Sequence, residues 1–127
     1  MVESTKVVYK VFGICGSLRT ASTNKTALIF AGQSNERISF ELAEYSDLPV
    51  YNGDIEAKGI PESVKSLHAK ILAADAILIG SPEYNYSISS ALKNLIDWVS
   101  RIQPNCFEKK PVAILSATGG PSGGARS

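Results

Sequence analysis

Ser17, Arg19, Ser22 and Asn24 crowd into the run Gly13-Ile-Cys-Gly-Ser-Leu-Arg-Thr-Ala-Ser-Thr-Asn24, which follows the apolar stretch Val7–Phe12 and leads into a helical pattern. Hydroxyls and a guanidinium gathered at a helix N-terminus suit an anion, because free N–H groups and the helix dipole both favour negative charge there. The run has Gly13 and Gly16 but matches neither GxGxxG nor GxxxxGK(S/T), so the dinucleotide and nucleoside-triphosphate cradles do not fit. A pyrophosphate is a middle segment that backbone glycines must approach closely. A terminal phosphate exposes more oxygens and rewards a ring of hydroxyls around one guanidinium, here Ser17 and Ser22 with Thr20 and Thr23 nearby. The loop therefore suits a monophosphate; the alternative is an N-cap region that is simply rich in Ser and Thr.

Two further loops carry unusual residues. Ser81-Pro-Glu-Tyr-Asn-Tyr-Ser87 offers aromatic rings for stacking on a flat ligand and an amide, Asn85, for its polar edge. A capping turn with Ser87 or Ser89 at a helix N-cap explains half of it equally well. Thr118-Gly-Gly-Pro-Ser-Gly-Gly-Ala-Arg-Ser127 brings glycines that let backbone N–H groups approach carbonyls on a heterocycle. No catalytic side chain is singled out, since there is no GxSxG elbow and the only histidine, His68, lies in a helical pattern. No metal site is expected either. Cys15 and Cys106 are far apart, with only His68 as an imidazole partner, and both read as reduced thiols.

Apolar runs of strand length alternate with helical patterns along the chain, which predicts an α/β fold of βαβ units around a mostly parallel sheet. The first strand is expected over about Val7–Ile14 and the first helix over about Lys25–Gln33, stopped by Ser34-Asn35. Ile38–Leu42 alternates apolar and polar residues, the mark of an edge strand with one wetter face. Tyr45–Gly59, with Pro49, Asn52, Gly53 and Gly59, reads as a connection without an element of its own. Pro61 suits the first turn of a helix that buries Val64, Leu67, Ile71 and Leu72 on one face, with His68 at its border. Ala76–Gly80 is the continuous run of a central strand covered on both faces. The next helix has Ile88, Ala91, Leu92, Leu95, Ile96 and Val99 as its stripe and Trp98 on its flank, with surface pairs Lys93–Asp97 and Asp97–Arg101. Pro111–Ala117 is the fourth strand. Ligands of such sheets bind beyond the carboxyl ends of the strands, so the three loops converge on one crevice.

A length of 127 residues fits a single domain, residues 1–127, and 44% hydrophobic with 20% charged residues excludes a disordered chain. Thirteen basic residues against twelve acidic, with no basic run, make nucleic acid an unexpected partner. No apolar stretch approaches the ~20 residues of a membrane helix, and Met1–Lys6 lacks the apolar core of a signal peptide. A cytoplasmic protein without a membrane partner is expected.

Gly16-Ser-Leu-Arg-x-x-Ser-x-Asn24, Asp47-Leu-Pro-x-Tyr51, Ser81-Pro-Glu-Tyr-Asn85, Ala91-Leu-Lys-Asn94, Asp97-Trp98, and Gly119-Gly with Gly123-Gly-x-Arg126 follow one another over nearly the whole chain. Together they resemble the NADPH-dependent FMN reductases, which include the flavin-dependent quinone, azo-dye and chromate reductases. The resemblance implies a flavodoxin-like, doubly wound parallel sheet, a homodimer or homotetramer, non-covalently bound FMN, and NADPH or NADH as hydride donor. It implies that Ser17, Arg19, Ser22 and Asn24 hold or shape the phosphate site. Pro82, Glu83, Tyr84 and Asn85 would lie along the isoalloxazine and ribityl chain, with Glu83 also toward a subunit contact. Thr118, Gly119 and Gly120 would meet the pyrimidine edge, and Tyr51 and Arg126 would border the nicotinamide or acceptor side. A hydride would pass through FMN to a small-molecule electron acceptor such as a quinone, an azo compound, free flavin or a metal oxyanion, by ping-pong turnover. The flavin then carries the chemistry, which accounts for the missing acid/base pair.

Members of that family continue past the GGxR loop with a helix, a fifth strand and a last helix, whereas this sequence stops at Ser127. The expected strand order is 2-1-3-4, with the fifth strand and last helices absent and strand four left as an edge. Two other function classes stand beside the reductase. One is a flavin-binding electron carrier, against which the balanced charge speaks, since flavodoxins are strongly acidic. The other is a shortened chain without catalysis, either a fragment or one whose partner fills the gap.

Overall fold

The computed structural model describes residues 5–127, so the signal-peptide reading of Met1–Lys6 falls partly on residues 1–4, outside the described residues. The elements are β1 (Tyr9–Cys15), α1 (Thr23–Gly32), β2 (Ile38–Leu42), α2 (Gly53–Ala57), α3 (Glu62–Ala73), β3 (Ala76–Gly80), α4 (Ser90–Val99) and β4 (Val112–Leu115). The strands run parallel in the order β2-β1-β3-β4, as the resemblance implied. β1 pairs Tyr9–Gly13 with Ile38–Leu42 on one side and Val11–Cys15 with Ala76–Gly80 on the other. This places the ends of β1, β3 and β4 side by side.

Alternation along the strands divides the two faces of the sheet. Phe12, Ile14 and Ile77 face Val64, Leu67 and Ile71 of α3 and Leu92, Leu95, Trp98 and Val99 of α4 in one buried core. α1 covers the opposite face, where Leu28 packs on Gly80 and the Phe40 ring fills the space above Gly13 and Gly32. α1 starts at Ser22, whose hydroxyl accepts the Lys25 N–H, and α4 starts at Ser89, whose hydroxyl accepts the Leu92 N–H. Of the two serines considered for that second cap, Ser89 takes it.

Several expectations change. Tyr45–Gly59 does hold an element, α2, because the Asn52 side chain accepts the Asp54 N–H at 2.8 Å and starts a short turn of helix. Pro61 caps α3 rather than entering its first turn, and Leu72, one step around from Ile71, is 43% exposed instead of buried. His68 goes deeper than a border position and shares a hydrogen bond with the Pro104 carbonyl at 2.8 Å. Trp98 is not on a flank: it is fully buried, because the loop at Pro49–Tyr51 closes over the outer side of α4. Its indole N–H donates to the Pro49 carbonyl at 2.7 Å, and the Tyr51 ring meets it edge-on at 5.0 Å. Lys93 and Asp97 pair at 2.5 Å as expected, whereas the Arg101 Nε donates to the Asp97 backbone carbonyl and its guanidinium lies over Tyr51. β3 is interior to the sheet, but Ala76 and Leu78, on the α1 side, and Ile79, on the α3/α4 side, are only half-buried. Cys15 and Cys106 are both buried and free.

Candidate functional site

The ends of β1, β3 and β4 open on a crevice of about 280 Å3. Ser17, Arg19, Ser22, Thr23 and Asn24 line it from the first loop, Pro82, Glu83 and Tyr84 from the second, and Ala117 and Thr118 from the third. Asn85, Gly119 and Gly120 do not line it, nor do Tyr51 and Arg126.

Within the first loop the polar residues divide by task. Ser22 is 2% exposed and spends its oxygen on the α1 cap, with the Cys15 thiol 3.7 Å away. Asn24 ties α1 to the end of β4: its Nδ2 donates to the Ala117 carbonyl at 3.1 Å and its Oδ1 accepts the Ala117 N–H at 2.9 Å. Arg19 is exposed, and its Nη2 donates to the Ala21 carbonyl at 2.8 Å, which leaves its other N–H groups for a ligand. Among the described residues, the backbone N–H groups of Ser17, Leu18 and Arg19 and the Ser17 hydroxyl have no hydrogen-bond partner. Ser17, Arg19 and the N-terminal residues of the ten-residue helix α1 thus border one space, with unpartnered donors beside it.

The second loop is a tight hairpin. Tyr84 and Ser87 exchange N–H···O bonds at 3.0 and 3.1 Å, and both residues between them have positive φ, 52° at Asn85 and 63° at Tyr86. Such a turn twists with the chain and tolerates Asn well, whereas Tyr in that region costs ~1–2 kcal/mol. Asn85 thus forms the turn, and Tyr86 stands 70% exposed beneath the Arg126 guanidinium, 4.6 Å from its ring centre. The third loop closes on the second, with the Arg126 N–H donating to Glu83 Oε2 at 3.2 Å and the Ser116 hydroxyl to the Ser81 carbonyl at 2.7 Å. Gly124 has φ +76°, and a Cβ there would lie 2.0 Å from Ser116 Oγ, so only glycine fits.

Sequence reasoning missed Tyr45. Its hydroxyl donates to the Cys15 carbonyl at the root of the first loop, and burial, helped by the neighbouring Cys15, pushes the phenol well above its ordinary value. Nothing in the aperiodic stretch around it signals this. Among the described residues no group of three or more His, Cys, Asp or Glu could hold a metal ion, and no helix is long and apolar enough to cross a membrane.

The sequence matches the family model described as NADPH-dependent FMN reductase over residues 9–127. It is 49% identical to an NAD(P)H-dependent FMN reductase of Pseudomonas aeruginosa over 119 residues, covering 93% of this chain and 64% of that protein. It is 42% identical to an NADPH:quinone oxidoreductase of Arabidopsis thaliana, covering 99% of this chain and 66% of the relative. Its structure superposes on a flavoenzyme NAD(P)H:(acceptor) oxidoreductase of Paracoccus denitrificans with a TM-score of 0.85 at 37% identity, covering 94% of this chain and 66% of that one. The chain thus spans just under two thirds of the length of these relatives. The strand order, the crevice beyond the strand ends and the match over residues 9–127 establish that the chain belongs to the NADPH-dependent FMN reductase family.

Proposed function

We propose that this chain forms the FMN-binding part of an NAD(P)H-dependent oxidoreductase that reduces quinones or related small electron acceptors. The observation that carries this reading is the set of unpartnered N–H groups at Ser17–Arg19 beside the free Ser17 hydroxyl and the exposed Arg19, in the loop that leads into the N-terminus of α1. A terminal phosphate fits that donor set, and Pro82, Glu83, Tyr84 and Thr118, which line the same crevice, would flank a planar ring system joined to it. Bound FMN would supply the chemistry, receiving a hydride from NAD(P)H and delivering it to the acceptor.

The chain's own residues bind, orient and shield. Ser17 and Arg19 would hold the phosphate, Ser22 and Asn24 would fix the helix and strand end that frame it, and Pro82, Glu83 and Tyr84 would flank the ring system. Thr118 and Gly119 would approach its polar edge with backbone N–H groups, Gly120, whose own N–H donates to Thr118 Oγ1 at 3.1 Å, would shape the turn that presents them, and Asn85 would set the hairpin at its mouth. From the resemblance, Tyr51 and Arg126 would border the donor or acceptor side, Arg126 lying over the exposed Tyr86 ring, and alternate binding of donor and acceptor on one side would give ping-pong kinetics. A cytoplasmic homodimer or homotetramer is part of the same proposal and rests on the family resemblance alone.

The test is direct. The purified protein should be yellow and should bleach anaerobically with NADPH, and Arg19→Ala should weaken FMN binding about ten- to a hundredfold, the loss of a charge-assisted bond. Bound flavin that no reduced nicotinamide bleaches would make the protein an electron carrier instead. Unchanged FMN affinity in Arg19→Ala would remove the first loop as the phosphate grip.

A further inference from the structure

We infer that Tyr45 and Ser89, two buried hydroxyls outside the crevice, are positioning residues that hold the first loop's backbone ready for a phosphate and so set a preference for FMN over riboflavin. The inference rests on the flavin reading above. Neither residue lines the crevice, and they are 5% and 2% exposed. The Tyr45 hydroxyl donates to the Cys15 carbonyl, while the N–H of the same peptide unit, that of Gly16, donates to the Gly80 carbonyl at 2.8 Å. That unit is held at both ends. The next one is held at its carbonyl, where the Ser89 hydroxyl donates to Gly16 O at 2.5 Å.

Peptide planarity carries the rest. In a trans unit the N–H points opposite to the C=O, so fixing the Gly16 carbonyl against Ser89 fixes the Ser17 N–H facing away from it. This N–H is the first of the unpartnered donors at the crevice. Two separate elements thus set its direction: the strand-to-loop turn after β2, through Tyr45, and the cap of α4, through Ser89. Ser89 also accepts the Leu92 N–H at 3.1 Å, so its hydroxyl hydrogen is free for Gly16. A side chain at position 16 would break the arrangement, because a Cβ there would sit 2.8 Å from Pro82 Cδ and 3.1 Å from Ser89 Oγ. Burial keeps the Tyr45 phenol protonated, so it remains a donor wherever the protein is folded.

The two flavins separate orientation of the phosphate donors from general support of the site, since riboflavin has the same ring system and no phosphate. Tyr45→Phe and Ser89→Ala each keep the shape of the residue and remove the hydroxyl. FMN and riboflavin are titrated separately by flavin fluorescence, with a thermal melt of the flavin-free protein alongside. The expected result is a loss of FMN affinity of about tenfold in each variant, as for one weakened bond to a charged group, with riboflavin affinity held within about twofold. Equal weakening of both flavins with a lowered melt would reduce the two residues to general structural support and overturn the inference. An FMN preference that survives both substitutions overturns it as well. A wild-type protein that binds the two flavins equally would instead bring down the phosphate reading itself, and this inference with it.

Discussion

Replacing Asn24 with alanine cuts the side chain that joins the first turn of α1 to Ala117, two residues past the end of β4. Its amide makes two hydrogen bonds to Ala117, at 3.1 and 2.9 Å, and the residue is 5% exposed. Each bond contributes ~0.5–1.5 kcal/mol net, so their joint loss costs about 1–3 kcal/mol. Alanine's better helix propensity returns about half a kcal/mol. The balance is a destabilisation of about 1–2 kcal/mol, which at a urea dependence of roughly 1.5 kcal/mol per molar lowers the unfolding midpoint by about 1 M. Circular dichroism in urea reads this shift. Asn24→Asp serves as the companion, since it keeps the acceptor for the Ala117 N–H but sets a carboxylate against the Ala117 carbonyl and beside the anion site. It should cost similar stability and weaken FMN more than Asn24→Ala does. A midpoint unmoved by Asn24→Ala would mean that solvent replaces both bonds without loss. Wild-type FMN affinity in Asn24→Asp would mean that no phosphate sits near α1.

Trp98→Phe should cost about 2–4 kcal/mol in urea unfolding, because it opens space in the core and leaves the Pro49 carbonyl to Asn94 alone, at 3.0 Å; a change under about 1 kcal/mol would show that the loop over α4 repacks freely. Stability should also fall as the solution becomes alkaline. Burial raises the Cys106 thiol above its ordinary value, so the unfolded chain ionises first: stability is intact below the unfolded thiol value and declines as pH rises past about 9. Urea midpoints at pH 7 and pH 10 measure the drop, which Cys106→Ala should make smaller. The buried Tyr45 phenol adds to the decline above about pH 10 by the same sign.

Much of this was legible before the fold was known, for reasons particular residues show. The continuous apolar run Ala76–Gly80 and the alternating Ile38–Leu42 fixed an interior and an edge strand, because burial on two faces or one leaves different periods. The crevice-lining residues Ser17, Arg19, Pro82, Tyr84 and Thr118 stood out because loops at strand ends rarely gather such types. What stayed hidden depends on contacts distant in sequence. Trp98 reads as a flank residue on the helix alone, and only the loop from Pro49 makes that flank interior. Tyr45 acts on a residue thirty positions away, through a loop that has no period to announce it. Asn85 looks like a ligand donor by type, and its left-handed backbone in the hairpin turn is a second feature that residue type alone does not announce.

The loops at the crevice are joined to one another by bonds that cross between elements: Ser89 to Gly16, Asn24 to Ala117, Ser116 to Ser81, and Arg126 to Glu83. A closed circuit of this kind loses much of its conformational freedom during folding, before any ligand arrives. Binding then immobilises little further, where ordering a free loop would cost ~1 kcal/mol or more for each backbone residue fixed. A small ligand held by a few donors at the end of such a sheet would then bind without the cost of organising its site, because that entropy was surrendered when the chain folded.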